Sequence, residues 1–141
     1  MPIPESVTGF LAAQAKRVRQ FRTKKRIVFP EGSDPRIVGA AQRLAREGLL
    51  EPILVGRKPA RPPAGVTFVD PESWPQTQRY AALYFERRGK RGVSEREAAR
   101  IARRPLYFAA LMVAAGDADG TVGGAATSTA ETVRAALHAI G

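Results

Sequence analysis

In the first twenty residues Val7, Phe10, Leu11, Gln14 and Val18 recur at intervals of three and four and mark one face of a helix. Basic residues lie elsewhere on that helix and toward its end, where the helix dipole favours them. "RIVFPEG" (26–32) reads as a short buried strand stopped by Pro30 and Gly32. Asp34 then caps a second helix, and Pro35 takes its first position, where a missing N–H costs nothing. Ile37, Val38, Ala41, Leu44 and Ala45 form its inner face and Gly48 closes it. The unbroken apolar run "PILVG" (52–56) predicts a second strand buried on both faces.

A proline-rich surface connection (57–65) leads to a third strand at 66–70. A helix from about Gln76 to Arg88 buries Tyr80, Leu83 and Tyr84. Ser94 and Glu97 form a capping box for the next helix, which meets Pro105. The apolar stretch 105–116 predicts a helix ending at Gly116. "GTVGG" (120–124) is a short strand, followed by a last helix with Val133, Ala136, Leu137 and Ile140 inward. Strands alternating with helices predict an α/β fold, a three-layer parallel sheet with helices on both faces. Residues 1–25 read as an N-terminal helix and basic connection, and 26–141 as the α/β domain proper. A parallel sheet normally continues where this chain stops at Gly141, so the architecture reads as incomplete.

Composition narrows the chemistry. Without cysteine there is no disulfide, thiolate metal site or cysteine nucleophile, and the single histidine disfavours histidine metal sites and Ser-His-Asp triads. No segment reads as a signal peptide or membrane span, so a cytoplasmic protein with no membrane partner is the expectation. The excess of 23 Lys+Arg over 13 Asp+Glu, a formal charge of +10, favours polyanionic partners. The basic runs 16–26 and 87–104 are not interleaved with aromatics as a base-stacking surface requires, which makes nucleic acid an unlikely partner.

The richest chemistry lies in "DADGTVGGAATSTAETVR" (117–134). Gly123 and Gly124 let backbone amides approach a ligand, and Thr127, Ser128 and Thr129 offer hydroxyls where helix N–H groups point outward. Arg134 lies outside the apolar face, free to reach an anion. The same residues also spell a plain capping box, Ser128 with Glu131, and an ion pair of Glu131 with Arg134. The stretch therefore fits both a phosphate cradle and a tight strand-to-helix connection. His138 reads as a surface residue, Trp74 as a packing anchor, Glu31 as a loop charge, and Asp117 and Asp119 as turn residues rather than metal ligands.

"FPEG.DPRI..AA..L..EG...PILVG", then "YFERRGKRGVSEREAA", "P.YFAALMV..GDADGTVGGA" and "ST.ETVR.AL..IG", taken in this order, resemble the phosphate acetyl/butyryltransferase family over almost the whole chain. The resemblance implies the first domain of a fold like that of the isocitrate and isopropylmalate dehydrogenases, with an active site in the cleft between two domains. It implies acyl transfer between coenzyme A and inorganic phosphate, with coenzyme A as substrate and no cofactor or metal. Carried over residue by residue, Arg88 and Arg134 match arginines that bind coenzyme A or phosphate. Ser128 and Thr129 match a hydroxyl pair at the cleft, with Gly124 beside them. Arg87 adjoins Arg88 and shares that assignment.

Family members are roughly twice this length, with their catalytic groups in the further part. The resemblance thus implies an N-terminal half that carries no catalytic residue and has no useful turnover alone. Self-association into a homo-oligomer is expected through apolar surface such an architecture leaves bare. Acetyl and butyryl specificity both stay open, as do a non-catalytic regulatory domain and, from another class, a basic nucleic-acid-binding module.

Overall fold

The computed structural model describes residues 2–141. Four strands, β1 (Arg26–Phe29), β2 (Glu51–Val55), β3 (Thr67–Val69) and β4 (Gly120–Thr121), pair in the order β3-β2-β1-β4. Every pairing is parallel; Val28 lies opposite Ile53 and Thr121, and Leu54 opposite Phe68. Side chains alternate across the sheet, as the two-residue period of a strand demands. Val28, Ile53, Val55 and Val69 face the larger core cluster, whereas Phe29 and Leu54 face the smaller one.

The smaller cluster lies under α2 (Pro35–Arg46), where fully buried Ala41 meets Phe29 and Leu54. The larger one is built by α3 (Thr77–Arg88), α4 (Glu95–Ala102), α5 (Pro105–Ala114) and α6 (Thr129–Ala139). Its aromatic centre is two edge-on pairs: Tyr80 with Phe108 at 5.2 Å and Tyr84 with Tyr107 at 5.7 Å between ring centroids. Helices thus cover both faces of a parallel sheet, the α/β architecture that the alternating pattern predicts. The connection from β2 to β3 contains no helix, in keeping with its prolines.

The caps follow the sequence closely. The Asp34 side chain accepts from the Arg36 amide, and Ser94 with Glu97 and Ser128 with Glu131 both complete their capping boxes. The strands are shorter than the apolar runs suggest: β1 stops before Pro30 and β4 spans only two residues. Gly89–Arg91, part of a loop by pattern, forms a 3-10 turn that ends at Gly92 in the left-handed region.

Two helix faces differ from expectation. On α6 the buried residues are Ala135 and Ala139, while Val133, Leu137 and Ile140 are 49%, 63% and 37% exposed. The bulky aromatics of α5 fill the space between the helices, so only alanines fit at the contact and the larger apolar side chains turn outward. On α1 (Glu5–Arg19) no residue is buried, and Phe10 and Leu11 are exposed by more than half. Asp117 and Asp119 serve as clasps. Asp119 accepts from the Arg26 amide at 2.8 Å and pairs with its guanidinium at 3.2 Å, and Asp117 accepts from the Tyr80 hydroxyl at 2.5 Å. Trp74 packs partly buried against the larger cluster.

Candidate functional site

From β1 the chain runs through α2 to β2 and on to β3, while β4 returns on the other side of β1. The loops leaving the C-terminal ends of β1 and β4 therefore diverge to opposite faces. Such a switch point opens a crevice in α/β sheets, and this is where their ligands gather. Here it is a cleft of about 710 Å³, walled by Pro30, Glu31, Arg36, Arg104, Leu106 and Thr127 among others.

The glycine–hydroxyl turn closes one side of that cleft, and its amides are already engaged. The Glu31 carboxylate accepts from the N–H groups of Gly124 (2.8 Å), Ala125 (2.9 Å) and Ala126, with the Thr127 hydroxyl at 3.5 Å. Burial pushes the Glu31 carboxyl up, but the three amides outweigh it and hold the group below its ordinary value. The turn does form an anion cradle, filled by a carboxylate of the protein itself. Glu31 is accordingly no free loop charge. Its place at the C-terminal end of a strand was the available signal, but a residue 93 positions away supplies the first partner.

Arg36 reinforces the junction. It pairs with Asp34 at 2.7 Å and donates to the carbonyl of Ala125 at 3.1 Å, so two separate links join the loop after β1 to the loop after β4. Hydrogen bonding to Arg36 holds the Asp34 carboxyl down at about 2. Gly124 lies at φ +108°, a conformation that side chains rarely adopt, which places its amide against Glu31. The Ser128 hydroxyl donates to the Glu131 carboxylate at 2.8 Å, whereas Thr129, the first residue of α6, is exposed.

The two arginines singled out by the sequence lie elsewhere, and they lie together. Arg88 from the end of α3 and Arg134 from α6 line one groove of about 470 Å³, with Arg91, His138, Val133 and Leu137. No carboxylate lines this groove, and none of its three arginines forms an ion pair among the described residues. Glu131 binds Ser128 instead of Arg134, and Arg88 Nε is buried without a partner. Arg87 turns away and donates to the carbonyl of Ile140 at the end of α6.

His138 departs from its expected surface position. It is half-buried, its ring centroid 6.3 Å from that of Tyr107. Burial lowers its pKa from the ordinary value, and the charges of Arg88, Arg134 and Arg91 lower it further.

The fold thus joins a parallel α/β sheet with a switch-point crevice to a separate, carboxylate-free arginine groove. Residues 10–141 match the family described as phosphate acetyl/butaryl transferase, and the chain belongs to that family. It is 44% identical over 117 residues to a phosphate acetyltransferase of Paracoccus denitrificans, covering 83% of this chain and 36% of that one. It is 38% identical over 124 residues to a phosphate acetyltransferase of Bacillus subtilis, covering 82% and 38%.

Among solved structures, a phosphotransacetylase from Streptococcus pyogenes superimposes with a TM-score of 0.84 at 32% identity, over 99% of this chain and 43% of that one. The EutD phosphotransacetylase from Staphylococcus aureus superimposes at 0.77 with 31% identity, over 91% and 42%. The chain thus spans a little over a third of the length of these two curated relatives. No helix among the described residues is long and apolar enough to cross a membrane.

Proposed function

We propose that this chain provides the coenzyme A-binding part of a phosphate acetyltransferase, which exchanges an acetyl group between coenzyme A and inorganic phosphate. The observation that carries the reading is the meeting of Arg88 and Arg134, from two different helices, in one groove without a carboxylate. Guanidinium groups stay charged and bind phosphate oxygens in pairs, which suits the several phosphates of coenzyme A. Val133 and Leu137, exposed beside the arginines, offer apolar surface to the uncharged parts of the same molecule.

In the transfer step the thiolate sulfur attacks the acetyl carbonyl carbon, the carbon–oxygen bond to phosphate breaks, and inorganic phosphate leaves. Negative charge develops on the carbonyl oxygen and on the departing phosphate, where fixed donors lower the barrier. Thr129, exposed at the start of α6, and Ser128, once its hydroxyl exchanges the Glu131 carboxylate for the ligand, are the hydroxyls assigned to the phosphate side, and Gly124 shapes the turn that presents them. No residue of this chain is assigned the role of base. Acetyl is preferred to butyryl because the relatives just described are named phosphate acetyltransferase or phosphotransacetylase.

Calorimetric titration of coenzyme A tests the reading. Arg134→Ala is expected to weaken binding about tenfold or more, or roughly 1.4 kcal/mol. Equal affinities of variant and wild type would remove Arg134 from the site, and no heat with either would remove the site.

A further inference from the structure

The groove between α3 and α6 also holds an imidazole, which the proposed binding does not use. His138 lines it beside Arg88, Arg91 and Arg134, one turn of α6 beyond Arg134. Behind the imidazole stands the Tyr107 ring of α5, whose own face carries the Arg104 guanidinium at 5.1 Å. The charged groups around His138 are therefore all cations: Arg88 from α3, Arg91 from the 3-10 turn, Arg134 from α6, and Arg104 beyond Tyr107. A fifth positive charge is poorly tolerated there until an anion arrives.

We propose that His138 belongs to the anion-binding set of this groove and takes up a proton when a phosphate group docks among Arg88, Arg91 and Arg134. The proposal rests on the reading of the groove as a coenzyme A site and adds proton coupling to it. The docked phosphate offsets the arginine charges that oppose protonation and supplies an acceptor for the imidazolium N–H. In the free protein burial, and then the neighbouring arginines, disfavour the charged imidazolium. The sign follows by linkage: a group whose pKa is higher in the complex strengthens binding as pH falls, through the window between its free and bound values.

The chain has a single histidine, so the imidazole Cε1 proton in an NMR spectrum reports His138 without assignment. Its titration midpoint is expected below the usual value of about 6.5 in the free protein, and at least about one unit higher with saturating coenzyme A. Calorimetry on the same samples establishes whether coenzyme A binds. His138→Gln is expected to lose much of the several-fold gain in coenzyme A affinity expected of wild type between pH 8 and pH 6. An unmoved midpoint in a sample that binds coenzyme A, or an unchanged pH dependence in His138→Gln, overturns the proton coupling and leaves the binding site standing. Absence of binding overturns the site, and the coupling with it.

Discussion

Glu31 shows how much one side chain decides here. Its carboxylate accepts from three consecutive amides, Gly124, Ala125 and Ala126, and so joins the ends of β1 and β4. Because its pKa is depressed in the folded protein, its contribution is complete above the unfolded value of about 4.3 and is lost as pH falls through the folded one. Glu31→Gln removes the charge while keeping the shape. It is expected to cost about 1–2 kcal/mol, toward the lower end for charge-assisted bonds because the residue is only half-buried. Hydrogen exchange at amides 124–126 should accelerate, and the loss of stability in acid should become shallower. Unchanged exchange at those amides would show that the clasp does not hold the turn.

At the scale of elements, α6 presents one face to the core and another to solvent, and the division is not the one hydrophobicity suggests. Ala135 and Ala139 touch the core, whereas Leu137 stands 63% exposed. Ala139→Leu would force added atoms between α6 and α5 and should destabilise by about 1–3 kcal/mol. Leu137→Ala should change stability by less than about 0.5 kcal/mol, as exposed substitutions do. Thermal or urea unfolding of the two variants checks the helix orientation, and the reverse ranking would refute it. The capping boxes and the proline at the first turn of α2 were legible in the sequence because their partners lie within three or four residues.

For the whole molecule the dominant quantity is charge. A formal +10 surrounds every binding event with a positive field, in addition to the local arginines of the groove. Coenzyme A affinity is therefore expected to fall about tenfold between roughly 50 mM and 500 mM sodium chloride, as counterions screen that field. Calorimetry across that range checks it; an affinity independent of salt would mean that the arginines do not contact the phosphates. The exposed apolar side chains of α1 and α6 are also a feature of the whole, since each helix alone looks ordinarily amphipathic.

By itself the sequence determined the succession of elements, the parallel α/β class, the helix caps, and the family to which the chain belongs. All of these rest on short-range periodicity or on runs of residues read in order. Even Arg88 and Arg134 could be picked out in this way, one motif at a time. Only the tertiary structure decided that these two arginines share a groove with His138 while Arg87 turns away from it. It also decided that the cradle in the glycine–hydroxyl turn holds Glu31, and that α6 buries its alanines. Each of these outcomes depends on partners from distant parts of the chain, and on packing volumes that no local pattern encodes.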